Sequence, residues 1–373
     1  MLVLAAPAAL AQQAPPPAAG AAPSPDNDND NDNDNDNDDK SNSDDSLMAR
    51  QDRSPWLLVP LVTSGPKLGT SLGAMVGYIH RFDAQSSPSL IGVQAKRSNT
   101  ASQVAAFGGK LYFNADRDRL GFGIAGGKAT NDYLDFLGTG LEVQTDEQVR
   151  GYFVRYQHEL FPNWYVGAQA VRSNYGVEGV DVFSDQVLDQ ANITGVESAG
   201  LGLAITYDTR DNQHNPSSGV LAQFNNVAYR DNLGGDVSYD VYKADWRWYV
   251  RTGKNNVVAL HASGRWTHDA PASRESTVQL RGYTRGQYLG SNEIAFEAEN
   301  RYMFRPRWGA KVFAGVACLY GDGASCGGDR LYPMAGLGAF YLLKPKENML
   351  VSAEFAKGSG DNHGFYIRFG NSF

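Results

Sequence analysis

From Trp56 onward, apolar and polar positions alternate in short runs. The clearest case is Asn292–Phe304, where Glu293, Glu297, Glu299 and Arg301 fall on one face. Ile294, Phe296, Ala298, Tyr302 and Phe304 fall on the other. A period of two, with charge on one side and apolar groups on the other, describes a strand between a polar lumen and lipid. The same kind of segment recurs as Trp56–Thr63, Leu68–Phe82, Leu90–Ser98, Ser102–Asn114, Leu120–Ala129, Gln148–Leu160, Trp164–Ser173 and Ala199–Tyr207. It continues as Val220–Tyr229, Val237–Arg251, Asn256–His268, Asn292–Phe304, Trp308–Tyr320, Tyr332–Leu343, Met349–Lys357 and Gly364–Phe373. Sixteen strands over residues 56–373 is about 20 residues per strand with its loop, the proportion of an outer-membrane barrel. No run of roughly 18 apolar residues is present, so no helix is expected to span a membrane. The predicted fold is all-β: a 16-stranded antiparallel transmembrane β-barrel, with a soluble β-sandwich as the weaker alternative at this length.

The connections support the same reading. Every second one is short and polar, such as Phe161-Pro162-Asn163 and Arg305-Pro306-Arg307. The others include Thr130–Glu147, Asn174–Ser198, Asp269–Ser291 and Gly321–Leu331. Short turns are expected in the periplasm and long loops outside, with both chain ends on the periplasmic side.

Composition changes the picture at the N-terminus. Residues 1–11, MLVLAAPAALA, read as a signal-peptide remnant ending in a small-x-small pattern but lacking a basic start. Residues 12–55 are a Pro/Ala tract followed by alternating Asp and Asn, which has no apolar face to bury and is expected to be a disordered tail. Within it, residues 12–45 hold ten aspartates against Lys40, −9 of the chain's net −8, leaving the remainder near +1. The acidity is therefore a property of the tail, and the barrel carries no basic excess for nucleic acid.

Two stretches carry concentrated chemistry. Val278–Gly290, VQLRGYTRGQYLG, has glycines at every fourth position from Gly282 to Gly290, yet includes Arg281, Arg285, Tyr283 and Tyr288. An arginine near lipid needs a carboxylate in a protected place, and Glu297 and Glu299 lie on the inward face of the next strand. The loop is expected to fold into the lumen and pair there. Tyr207–Gly219, YDTRDNQHNPSSG, crowds Asp208, Arg210 and Asp211 into a turn shaped by Pro216 and Gly219, whose charges should satisfy one another. Cys318 ends one strand and Cys326 lies in the following loop, so a disulfide stapling that loop and two free thiols both fit the spacing.

With these residues in view the chain resembles the BamA/TamA-like outer-membrane barrels, the bacterial surface antigen family. The matching motifs are a D-T-R-D-x(4)-P-x-x-G turn, here Asp208, Thr209, Arg210, Asp211, Pro216 and Gly219, and an R-G-Y loop tip, here Arg281, Gly282 and Tyr283. The resemblance covers about residues 56–373 and implies an assembly or export barrel working with a protein client or a separately encoded periplasmic partner. Two departures stand out. The residues ahead of Trp56 are too few for the periplasmic repeat domains usual in that family. The family's F-x-D on the strand after the loop strand reads Phe313-Ala314-Gly315 here, without an acid. The pairing for Arg281 is therefore assigned to Glu297 or Glu299.

Other signals are weak. Gly69-Thr70-Ser71-Leu72-Gly73 matches G-x-S-x-G without a strand–turn–helix setting, so a Ser71 hydrolase is the least favoured function. Gly121–Gly126 matches G-x-G-x-x-G with no following helix to hold a pyrophosphate. His80, His158, His214, His261, His268 and His363 show no ligand spacing, so neither a metal site nor a cofactor is expected. The leading reading is a monomeric, lipid-embedded barrel that assists outer-membrane protein assembly or secretion. A passive pore or structural barrel is the alternative.

Overall fold

A computed structural model describes residues 54–65, 69–100, 102–133, 135–193, 195–321 and 323–373. The signal-remnant and tail expectations for residues 1–53 lie outside the described residues. Sixteen antiparallel strands close into one barrel. They are β1 (Trp56–Gly65), β2 (Gly69–His80), β3 (Ser89–Ser98), β4 (Gln103–Phe113), β5 (Asp118–Tyr133) and β6 (Val143–Phe161). Next come β7 (Trp164–Gly179), β8 (Val196–Asp208), β9 (Gly219–Tyr229), β10 (Tyr239–Arg251) and β11 (Asn256–His268). The barrel ends with β12 (Asn292–Met303), β13 (Trp308–Tyr320), β14 (Leu331–Lys344), β15 (Met349–Gly358) and β16 (His363–Phe369). Each strand pairs with its sequence neighbours, and β16 returns to β1. Among the described residues no helix is long and apolar enough to cross a membrane.

Alternation sets the two faces. On β12, Glu293, Glu297, Glu299 and Arg301 are buried in the lumen, while Ile294, Phe296 and Tyr302 are exposed on the outer wall. Aromatic residues gather on that wall near the short-turn end, where Trp56 packs against Tyr78, Trp164 against Tyr207 and Trp308 against Tyr341. Such belts mark the level of lipid headgroups.

Four details differ from the sequence expectation. First, β5 and β6 run further than expected, because Thr130–Tyr133 and Val143–Glu147 continue the ladder instead of forming a loop. Their inward side chains, Asn131, Tyr133, Thr145 and Glu147, are polar and hydrogen-bonded to one another, which hid the strand from an apolar count. Second, the loop after β7 contains a helix, α1 (Val182–Gln190), capped by Asp181 accepting from Ser184 N at 2.7 Å. Its nine residues are too few to show sustained periodicity. Third, the turn between β8 and β9 is the long exception at the short-turn end. Fourth, the last strand stops at Phe369. Gly370 adopts φ +80° and turns the chain inward, so Phe373 packs against Tyr249 and Ala259 in the lumen rather than against β1.

Candidate functional site

The loop between β11 and β12 enters the barrel and crosses much of its depth. Its base is fastened by a two-residue ladder, Ser276–Thr277 against Leu289–Gly290, and by Arg265, which donates to Ser276 Oγ at 3.0 Å and Arg274 O at 2.7 Å. A small apolar core made by Tyr133, Phe136, Leu188 and Ile193 packs on Leu289 and holds the loop against α1. Further in, Val278 and Leu280 are buried against Phe313, Leu319 and Met334.

The tip is Arg281-Gly282-Tyr283. Gly282 has φ +88° and its amide donates to Tyr366 Oη at 2.9 Å. The left-handed φ favours glycine, and a Cβ there would stand a tight 3.2 Å from Gly358 N. Tyr283 donates to Pro333 O at 2.6 Å and accepts from Ser359 N at 2.9 Å, ahead of β16. Arg281 spreads its fork over three carboxylates. Nε and Nη2 reach Glu297 Oε2 at 3.1 and 3.0 Å, and Nη1 reaches Glu299 Oε2 at 2.7 Å and Glu354 Oε2 at 3.2 Å. The guanidinium lies 3.4 Å from the centre of the Phe313 ring. Burial opposes the charge on Arg281, but Glu299, Glu297 and Glu354 outweigh it and hold its pKa above the ordinary value.

The expected partners Glu297 and Glu299 are therefore both at the arginine, beside three groups that the sequence did not join to it. Glu354 comes from β15. Lys311 from β13 is 2.5 Å from Glu354 and offsets part of the negative charge around Arg281. Phe313 supplies the stacking face. Gly315, where the resemblance would place an acid, is filled in space by a neighbour: a Cβ there would come within 2.9 Å of Glu297 Cγ. Glu293 stands apart and accepts from Gln279 N at 3.1 Å. Arg301 donates to Glu299 and to the Phe373 oxygen, each at 2.7 Å. His261 sits between Asp245 and Glu297 with its ring stacked on Phe373. Arg285 lines the lumen cavity, of about 400 Å³.

The β8–β9 turn is a second buried cluster, and it divides its charges. Arg210 and Asp208 form a bidentate pair at 2.9 and 3.0 Å, and Arg119 of β5 adds a third contact to Asp208 at 3.0 Å. Burial of Arg210 is more than offset by Asp208, which raises the arginine's pKa. Asp211 instead stays outside and accepts from Ser217 N and Ser218 N. Thr209 and Val220 exchange hydrogen bonds, Pro216 is buried, and Gly219 at φ +101° would put a Cβ 2.2 Å from Thr209 O. Residues beyond Gly370 connect the two clusters: Asn371 donates to Asn215 at 3.0 Å and accepts from Lys311 at 3.1 Å.

Cys318 and Cys326 are joined by a disulfide with their Cα atoms 5.7 Å apart. Ser71 lies inside β2, in register with Thr63 and Ser98, and the Gly121–Gly126 motif lies wholly inside β5. Neither sits at the start of a helix. Among the described residues no cluster of three metal-ligating side chains is found.

The model of the Omp85 superfamily domain matches residues 88–295, more than half of the chain. The chain belongs to the Omp85 superfamily. Among solved structures, this Omp85 barrel is similar to BamA from Haemophilus ducreyi lacking POTRA domains 1–3, with a TM-score of 0.56 and 14% identity, over 85% of this chain and 70% of that one. It is similar to CdiB from Acinetobacter baumannii, with a TM-score of 0.58 and 12% identity, over 84% and 59% of the two chains. CdiB from Escherichia coli gives a TM-score of 0.54 and 12% identity, over 84% and 62%. The chain thus spans about three-fifths of either CdiB. No curated protein sequence matches this Omp85 barrel.

Proposed function

We propose that this Omp85 barrel resides in the bacterial outer membrane, with its short turns in the periplasm, and moves protein into or across that membrane. The observation that carries the reading is the loop tip: Arg281, Gly282 and Tyr283 are held in mid-lumen by three carboxylates and by Tyr366 of the last strand. A loop tied to the strand that closes the barrel links lumen and wall mechanically. A passive pore needs no such link, and the loop would only narrow it. The fold resemblance to BamA and CdiB supports the same reading, with a protein client or a separate periplasmic protein as partner. It favours a transport barrel over an enzyme.

The test is deletion in the native bacterium, followed by quantitative proteomics of outer-membrane and secreted fractions. Loss of one or a few proteins is expected, restored by the wild-type chain but not by Arg281→Ala present at equal folded level. Unchanged fractions, together with a steady conductance of the purified protein in planar bilayers, would establish the passive pore instead.

A further inference from the structure

The outer wall carries a charged patch that the lumen sites do not use. Arg97 on β3, Lys128 on β5 and Arg150 on β6 are exposed, facing away from the lumen near the long-loop ends of their strands. Cross-strand register sets Arg97 beside Gln103, Gln103 beside Lys128 and Lys128 beside Gln148. Arg150 is the next outward position after Gln148. With strands roughly 4.8 Å apart, Arg97 and Lys128 are about 10 Å apart at Cα and Lys128 and Arg150 about 8 Å, so three long side chains can converge on one group.

Neighbouring carboxylates do not neutralise them. Glu197 holds Arg172, which donates to it at 2.9 Å, and Asp146 accepts from Thr130 Oγ1 at 2.6 Å. Among the described residues no ion pair joins Arg97, Lys128 or Arg150 to an acid. Beneath the cations the wall is made of small residues, Ala95, Ala105 and Gly126, which leave an open hollow of about 750 Å³. The next outward row towards the short turns is wholly apolar: Val93, Phe107 and Ile124 in register, with Tyr152 beside them.

A cation that faces hydrocarbon is tolerated only close to the interface, so three together place the hollow at headgroup level. Cations and amides around a shallow floor, above an apolar wall, fit an amphiphile whose phosphate sits at the rim and whose chains run down the wall. We propose that this hollow binds the phosphorylated headgroup of a lipid in the leaflet on the long-loop side. The proposal rests on the barrel standing in a membrane, not on protein transport.

The experiment is native mass spectrometry of the purified full chain in neutral detergent. The probes are the diphosphorylated glucolipid lipid A, phosphatidylcholine as zwitterionic comparator, and inorganic phosphate as competitor. Wild-type protein should retain lipid A in preference to phosphatidylcholine. The triple variant Arg97→Gln, Lys128→Gln, Arg150→Gln should lose on the order of a hundredfold in affinity for lipid A, at roughly a factor of five for each cation. Gel mobility with and without heating shows whether the variant is folded. If it is not, Lys128→Gln alone should lose about fivefold. Equal lipid A binding by wild type and variant would overturn the proposal. So would displacement of lipid A by inorganic phosphate, which would make this a soluble-anion site. Loss of a co-purifying membrane protein with lipid binding intact would make it a protein interface.

Discussion

The barrel wall is very uneven, as its closing seam and its opposite side show. Where β1 meets β16, three residue pairs are in register among the described residues: Val62 with Ile367, Thr63 with Tyr366 and Ser64 with Phe365. Where β6 meets β7, sixteen are, and β5–β6 matches it. Each backbone hydrogen bond contributes about 0.5–1.5 kcal/mol net, so the seam is weaker by several-fold on ladder alone. The cause is local. Continuing the register past Val62 and Ile367 would set Phe373 opposite Trp56, but the turn at Gly370 takes the chain inward instead. The first half of β1 therefore pairs with β2 alone, and its lumen face, Leu57, Val59 and Leu61, packs on Phe369 as an apolar cluster. Ladder is exchanged for lumen contacts. Closure at this point depends on side chains: this apolar cluster on the β1 side, and on β16 Tyr366, which accepts from Gly282 N, and Arg368, 3.6 Å from Glu354 of the Arg281 cluster.

The largest expected effect comes from removing that difference between the two walls. Val62→Cys with Ile367→Cys places thiols on facing outward positions of the seam, within reach of a disulfide on oxidation. If transport requires the seam to part, oxidation should abolish delivery of the client and reduction should restore it. Val154→Cys with Ala170→Cys does the same to β6–β7 and should leave delivery unchanged. Equal delivery by the oxidised and reduced seam pair would show that the weak ladder has no part in transport.

Arg281→Ala comes next. It strands Glu297, Glu299 and Glu354 with one cation fewer, and removing one partner of such a buried group typically costs about 3–5 kcal/mol. Folded barrel, read from heat-modifiable gel mobility, should fall, and protease should reach the loop. Arg285→Ala should do less, since it leaves Arg281 in place among Glu297, Glu299 and Glu354. Hydrogen exchange in Arg281→Ala should quicken at β16 before it changes at β6. Uniform quickening would separate the loop from the seam.

How much of this was legible beforehand depends on distance along the chain. Period-two alternation exposed sixteen strands because each carries its own two faces. Glu297 and Glu299 could be assigned to the lumen for the same reason: they share one short strand that follows the loop directly. Glu354, Lys311 and Arg119 could not be joined to their partners, because register between strands far apart in sequence decides those contacts. Glu354 did leave a signal, as the one acid on the inward face of Met349–Lys357, but nothing in the sequence tied it to Arg281. The inward turn at Gly370 was hidden by an aromatic pattern in Gly364–Phe373 that reads as an unbroken strand. A nine-residue helix was too short to show sustained periodicity, and the extension of β5 and β6 escaped because its inward face is largely polar.

Phe373→Ala tests the exchange at the seam from inside and should be milder than Arg281→Ala. The ring is stacked on His261 at 4.8 Å and lies 5.5 Å from Arg281 and 5.9 Å from Arg301. Its removal leaves a cavity but no stranded charge, and truncating a buried phenylalanine costs about 3 kcal/mol or somewhat less where the lumen can take in water. Urea unfolding in detergent should show a lower midpoint, with the loop still protected from protease. Loss of loop protection equal to that in Arg281→Ala would mean that Phe373, and not the carboxylates, holds the tip.

The smallest expected effect is at Ser71, beside the seam but outside its chemistry. The residue faces inward on β2, buried, with Thr63 and Ser98 as its register neighbours. A nucleophilic serine needs a base within hydrogen-bond reach and donors where an oxyanion would form. The register neighbours offer hydroxyls, which cannot serve as the base at neutral pH, and Ser71 itself lies within strand β2 rather than at a strand-to-helix turn that would expose the oxygen. Ser71→Ala removes one hydroxyl and no apolar volume, so barrel folding, seam cross-linking at Val62 and Ile367, and client delivery should all match wild type. Ester or lipid hydrolysis by the purified protein that vanishes in Ser71→Ala would overturn this and show that the seam region carries chemistry of its own.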